Sequence, residues 1–404
     1  MSSNINFCCP GCFNRICCCP RVYQGPKGDK GVPGVPGIQG PRGLRGPQGA
    51  QGPQGAQGPQ GAQGIQGEQG LQGEQGLQGE QGEQGEQGEQ GPQGEQGPAG
   101  SSTPISVNRI YVANAQDNNV SVIDGNTNTV IATVPVDVFP IGVSVNPTTN
   151  RIYVSNRNAN NISVLNGNTN TVIATVPVGS LPIAVGVNPT TNRIYVANEG
   201  SNNVSVIDGP TNSVIATVPV GTSPRAVGVN PTTNRIYVAN AQDNNVSVID
   251  GNTNTVIATV PVGITPTGLG VNPTTNQIYV ANQGSNNVSV IDGLSNSVIA
   301  TIPVGLLGSF PIGVGVNPIT NRIYVANQGS NNVFVIDGNT NTVMTTVPVG
   351  TGPTGVGVNP LTNGVYVAIL APGSDNVSVI SGNTNTVIAT IPVGNGTFGL
   401  GVNP

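Results

Sequence analysis

The residues of this chain best equipped for chemistry lie together: Cys8, Cys9, Cys12, Cys17, Cys18 and Cys19 account for all six of its cysteines. Thiols at this spacing could hold a metal, staple a small fold or join chains. A tetrahedral zinc site takes spaced pairs, and runs of adjacent thiols do not converge on one ion. Internal staples need a core to close around, and vicinal cysteines bridge each other only with strain. Disulfides between chains fit the pattern better, with metal binding as the alternative.

Elsewhere the chemistry is sparse. There is no histidine, which excludes a Ser-His-Asp triad, a Cys-His pair and histidine-ligated metal sites. Paired carboxylates remain, but Asp124, Asp208, Asp250, Asp292, Asp337 and, more loosely, Asp375 recur at the same turn positions of a repeat. An active site breaks a repeat, whereas these residues make it. Arginines stand opposite them when the strands are paired: Arg109/Asp124, Arg193/Asp208, Arg235/Asp250 and Arg322/Asp337 are expected as cross-strand ion pairs, each contributing about 0.2–1 kcal/mol. Asp124, Asn126 and Asn128 in DGNTNT have the spacing of the start of a calcium loop. The bidentate glutamate of such a loop is missing, so an Asx-rich hairpin turn is expected instead. No enzyme activity, cofactor or metal is expected. The residues that break the repeat are the candidates for a specific contact: Arg157 in SNRNANN, Arg225 in SPRAVG, the insert Leu306–Phe310, Phe334 and Ile369–Pro372. Drift in surface loops is the favoured explanation for them.

Two repeats must position whatever these residues do. From Gly25 to Gly100 every third residue is glycine without interruption, and only glycine fits the axis of three wound polyproline-II strands. Residues 25–100 are therefore read as a collagen-like triple helix, which makes the chain a homotrimer. At ~3.1 Å per residue the stretch is a spacer of roughly 230 Å. Gln fills most third positions, so the rod does not depend on hydroxyproline. In this it resembles bacterial collagen-like proteins.

After SSTP a second period begins. The tyrosine of RIYVAN, or of a near copy, recurs at 111, 153, 195, 237, 279, 324 and 366, a spacing of 42 residues broken once to 45. Each unit reads as four short apolar runs separated by Asn, Gly, Pro and Thr, which is a propeller blade. Folding blade one about Ala115–Asn118 places Tyr111 against Val122, Ala113 against Val120 and Arg109 against Asp124. Both faces of that hairpin are apolar, as stacked blades require. The first unit lacks its first strand and the chain ends on one, so Leu400, Gly401 and Val402 are expected to complete blade one and close the ring. Residues 101–404 are thus read as an all-β seven-bladed β-propeller, behind a cysteine-rich segment at 1–24 and the stalk.

IYVAN and IYVSN resemble the YVTN-type β-propeller repeat of bacterial and archaeal surface proteins. That resemblance implies a fold but no ligand. Asn6 to Cys12, Asn-x-Cys-Cys-x-x-Cys, resembles the cysteine-rich N-terminal connectors of bacterial endospore appendage and coat proteins. It implies partners in the spore coat, exosporium or appendage, reached through the cysteines. Formal charge is −5 and the basic residues of the stalk are sparse, which argues against nucleic acid. No stretch reaches the ~20 apolar residues of a membrane span, and no signal peptide is read before Cys8.

Three functional readings follow. The first is a structural fibre of a spore or cell surface, with a head that adheres, shields or scaffolds. The second is a ligand-binding or enzymatic propeller using the central channel, which a buried, non-repeating polar cluster there would favour. The third, an intracellular scaffold, would keep its thiols reduced.

Overall fold

The computed structural model describes residues 108–305, 308–371, 373 and 375–404. The six cysteines, the Gly-X-Y stretch, Leu306, Leu307 and Pro372 lie outside the described residues. From Arg109 onward each run of β-branched residues bounded by Asn, Gly or Pro is a strand. Blade one contributes β1 (Arg109–Asn114), β2 (Asn119–Asp124) and β3 (Thr129–Pro135). Blade two follows with β4 (Pro140–Asn146), β5 (Arg151–Asn156), β6 (Asn161–Asn166) and β7 (Thr171–Pro177). The order repeats up to β28 (Thr397–Asn403), for 28 strands among the described residues in seven four-stranded sheets. The fold is an all-β seven-bladed propeller.

Its hairpins turn on asparagine. Asn118, Asn128 and Asn150 adopt φ of 53°, 55° and 49°, the left-handed region that asparagine tolerates better than other side chains with a Cβ. In blade one the register sets Tyr111 opposite Val122, Ala113 opposite Val120 and Arg109 opposite Asp124. The ring closes through β28, which pairs beside β1 with Val402 opposite Ile110, Gly401 opposite Tyr111 and Leu400 opposite Val112.

The middle strands bury both faces, so the core is divided among the seven interfaces between blades. Between blades one and two, Tyr111, Ala113, Val120 and Val122 pack on Val143, Ile152, Val154 and Leu165. Between blades seven and one, Tyr366, Ala368, Val377 and Val379 pack on Ile110, Val112 and Ile123. Full burial of one such aliphatic side chain stabilises by roughly 1.5–3 kcal/mol, and each blade gains it only when its neighbour is present.

The four Arg/Asp pairs are corrected in one respect. Their backbones are opposed as expected, yet among the described residues none of them forms an ion pair. Arg109 reaches past Asp124 and donates to the carbonyl of Gly167 in the next blade at 2.7 Å. Arg193 and Arg235 do the same to Gly251 and Gly293, at 2.9 and 2.6 Å, and Arg322 donates to the Gly382 carbonyl. The aspartates are spent locally: Asp124 accepts the backbone amides of Asn126 and Thr127 at 2.8 and 3.3 Å, which is an Asx-type turn. A long guanidinium bonds a carbonyl left over at the neighbouring turn more readily than a carboxylate already engaged by its own backbone.

Asp375 is corrected too. It does not share the Asp124 position, which in blade seven belongs to Ser381 opposite Gly364. It sits at the hairpin position of Asn118, and its carboxylate accepts the amides of Gly396 and Thr397 at 2.5 and 3.1 Å. Asn118 accepts the amide of Phe139 in the same way, at 2.9 Å.

The edges of the blades are handled by one device. In β3, Ala132 opposes Val122 and Val130 opposes Ile123, so Ile131 between them is a bulge without a partner. The same bulge recurs in all seven outer strands. A bulged edge ending in proline is a poor template for adding another strand.

Candidate functional site

The inner strands place the site. Each begins with a proline, or Thr397 in blade one, and pairing with the next strand breaks just after it. The first residue skipped by the ladder in each blade is Ile141, Ile183, Arg225, Thr267, Ile312, Thr354 or Phe398. A bulge re-aims its side chain, and here all seven line a cavity of about 490 Å³ at the mouth of the central channel.

The backbone before these residues is unusual. Phe139, Leu181, Ser223, Thr265 and Phe310 take φ of 61°, 52°, 56°, 54° and 50°, where the hairpins use asparagine. Bulky and β-branched residues adopt this region at a cost. The surroundings hold them there: the Phe139 carbonyl accepts from the Arg157 amide at 2.9 Å, and the Leu181 carbonyl from the Glu199 amide at 3.0 Å.

The inner strands approach closely. A Cβ on Gly268 would stand 1.8 Å from the carbonyl oxygen of Ile312 in the next blade, and one on Gly142 would stand 2.2 Å from that of Ile183. Five blades carry glycine at this position, while two consecutive blades carry Ala184 and Ala226, so only there do the walls leave room for a methyl group.

Charge enters at the same sector. Glu199 follows the middle strand of blade three and is 13% exposed. It takes Arg157 Nη2 of blade two at 3.0 Å on one oxygen and Arg225 Nε of blade four at 3.0 Å on the other. The Ser223 hydroxyl adds a third donor at 3.2 Å. Burial alone would raise the Glu199 carboxyl, but the hydrogen bonds and charge of Arg157 and Arg225, with Ser223, outweigh it and hold the group below the usual carboxylate range. Arg157 and Arg225 are the only ion-paired arginines among the described residues, and no other charged side chain lines the cavity.

Apart from Gln283, the rest of the mouth is latched or apolar. Thr354 Oγ1 donates to the Phe398 carbonyl at 2.9 Å and Ser155 Oγ to the Ile183 carbonyl at 2.7 Å. Ile141, Ile312 and Phe398 form the apolar wall, and the Phe139 ring stands 6.3 Å from that of Phe398. Among the described residues no group of three His, Cys, Asp or Glu is placed to hold a metal.

Of the repeat-breaking residues, the structure brings Arg157 and Arg225 together through Glu199. Drift in surface loops does not describe them. Glu199 was missed because its neighbours at the same unit position, Ala241 and Gln283 among them, vary and hide it. Phe334 faces Val325 in the middle hairpin of blade six. It replaces the serine that in blade one takes the Asn114 amide at 2.8 Å. Ile369 ends the equivalent strand of blade seven, and Phe310 belongs to the strained mouth. Sequence reasoning also missed the asparagines of the VNP motifs, which form a ring at the other end of the channel. Asn146 donates to Asn192 at 2.7 Å, Asn188 to Asn234 at 2.8 Å and Asn230 to Asn276 at 2.8 Å. Asn272 donates to Asn321 at 2.7 Å and Asn317 to Asn363 at 2.8 Å. Asn359 to Asn108 at 2.7 Å and Asn403 to Asn150 at 2.8 Å complete the circle.

No curated protein matches the chain. Solved structures match it with low identity. Hydrazine synthase of Kuenenia stuttgartiensis is 22% identical at a TM-score of 0.61, covering 68% of this chain and 92% of that one. A functionally unknown protein from Desulfotomaculum acetoxidans is 13% identical at 0.63, covering 73% and 98%. Dihydro-heme d1 dehydrogenase NirN in complex with DHE is 17% identical at 0.55, covering 72% and 65%. Identities this low show the fold alone. Residues 20–76 and 46–105 match the collagen triple helix repeat (20 copies). Residues 102–308 match the choice-of-anchor I domain, and the YVTN-type assignment is not confirmed. The chain therefore belongs to the choice-of-anchor I domain family, carrying a collagen triple helix repeat region on its N-terminal side.

Proposed function

We propose that this is a structural, non-enzymatic fibre protein of a bacterial spore surface, or alternatively of a cell surface, whose head adheres, shields or scaffolds. The observation that carries the reading is the junction of a collagen triple helix repeat region with a closed propeller of near-identical blades. Such a pair suits a spacer and a presented surface. The spore, in its exosporium, coat or appendages, is favoured by the Asn-x-Cys-Cys-x-x-Cys layout around Asn6 to Cys12. In this reading the cysteines fasten a homotrimer to the supporting layer. Immunogold labelling of intact spores and vegetative cells tests it. Gold is expected on the spore surface, and label confined to the interior of vegetative cells would overturn it.

A second reading, a head that also binds a small ligand in its channel, is favoured by one observation. Arg157, Glu199 and Arg225 form a partly buried, non-repeating charged cluster at the mouth of an otherwise repetitive ring.

A further inference from the structure

We infer that the channel mouth binds a small organic carboxylate, its charge held by Arg157 and Arg225 and its apolar body against Ile141, Ile312 and Phe398. The inference rests on the ligand-binding reading of the head and gives it a chemical class.

Charge balance comes first. Two guanidiniums share one carboxylate, and no other charged side chain lines the cavity, so the cluster carries one positive charge in excess. Glu199 has both oxygens engaged and offers little to a cation. The donors are only partly used. Arg157 gives Nη2 and Arg225 gives Nε to Glu199, and among the described residues the other guanidinium N–H groups make no hydrogen bond. The two side chains are 31% and 39% exposed. Planar guanidinium N–H pairs match the two oxygens of a carboxylate.

Shape selects among anions. The remaining ring positions are isoleucine, threonine and phenylalanine, and the threonine hydroxyls donate to backbone carbonyls, Thr354 to Phe398 and Thr267 to Pro311 at 3.2 Å. A cavity of about 490 Å³ lies in the size range of small-molecule sites, which are mainly apolar with a few polar groups that orient the ligand. A simple inorganic anion would leave that wall unused.

Isosteric probes test this on the full-length chain. Equilibrium dialysis would compare benzoate, benzamide and benzylamine, which share a ring and differ in charge. Benzoate should be retained and the other two should not. R225T, which installs the residue found at this position in blades five and seven, should weaken benzoate at least tenfold with an unchanged melting temperature. R157A should do the same, while E199Q, which removes the competing negative charge and one of the two acceptor oxygens, should tighten binding severalfold. Retention of benzamide as strongly as benzoate would overturn the carboxylate class and leave the ligand-binding head standing. Retention of benzoate equally by wild type and R225T would overturn the arginine site, and retention of none of the three would overturn both.

Discussion

Every second-position strand of the ring buries a tyrosine, and ionising one would put a phenolate into the interface between blades. Burial raises the hydroxyl of Tyr111, Tyr153, Tyr195, Tyr237, Tyr324 and Tyr366, and pushes Tyr279 up to about 12 with the Asp337 charge adding to it. In blade one the neighbouring Arg109 works against burial, whereas Tyr279 has Gln277 beside it, accepting from its hydroxyl at 2.8 Å. A group raised in the folded state contributes stability that is complete below its unfolded value, here 10.0, and is lost as pH climbs through the folded value. The head should therefore hold its melting temperature up to about pH 10 and lose it steeply toward pH 12, with phenolate absorbance appearing at unfolding rather than before. Phenolate absorbance from most of the tyrosines in a still-folded head would contradict this. At this scale the sequence was legible for partners and mute on direction: pairing placed Arg109 opposite Asp124, but only the stacking of blades shows the guanidinium crossing to Gly167.

At the scale of strands, much could be read beforehand, because a 42-residue period of four apolar runs permits few arrangements and a terminal orphan strand must pair somewhere. The bulges that open the inner strands could not be read, since alternation is unchanged in the residues on either side of Ile141 or Thr354. Those bulges build the mouth. The glycines after them are constrained by the next blade, so Gly268→Ala, which drives a methyl against the Ile312 carbonyl, should destabilise the head by about 1–3 kcal/mol. A thermal melt equal to wild type would show that the strands can part there, as they do at Ala226. Deleting residues 399–404 should lower the melting temperature more sharply, because it removes the strand beside β1 and the Asn403–Asn150 bond together. If the truncated head melts like the intact one, the ring does not depend on that closure.

At the scale of the molecule, the repeat in the stalk fixes an expectation of three chains. Light scattering on the intact protein should give a trimeric mass, and Gly64→Ala should break the triple helix locally while the heads stay folded. A monomeric mass would remove the fibre reading. Without reductant the wild type should run on a gel as trimers or larger species that collapse with thiol. A variant with serine at Cys8, Cys9, Cys12, Cys17, Cys18 and Cys19 should run as monomer and be shed from the surface. If both run as monomers and stay attached, metal binding by the cysteines gains ground. The asparagine ring bears on how long such a fibre lasts. Asparagine ages when the next backbone nitrogen, losing its hydrogen, attacks the side-chain carbonyl and expels ammonia. All seven donors of the ring, Asn146, Asn188, Asn230, Asn272, Asn317, Asn359 and Asn403, precede a proline, whose nitrogen has no hydrogen to lose. The donors of the bonds that join blade to blade are therefore shut off from the commonest chemical clock in proteins, whereas Asn166, Asn395 and Asn363, the acceptor from Asn317, precede glycine and are open to it. Peptide mapping after prolonged mild alkaline storage should find deamidation at these three first, and equal rates at the proline-flanked seven would refute the protection. At Asn166 the aspartyl product fits the turn, since aspartate already stands at its place in most of the other blades.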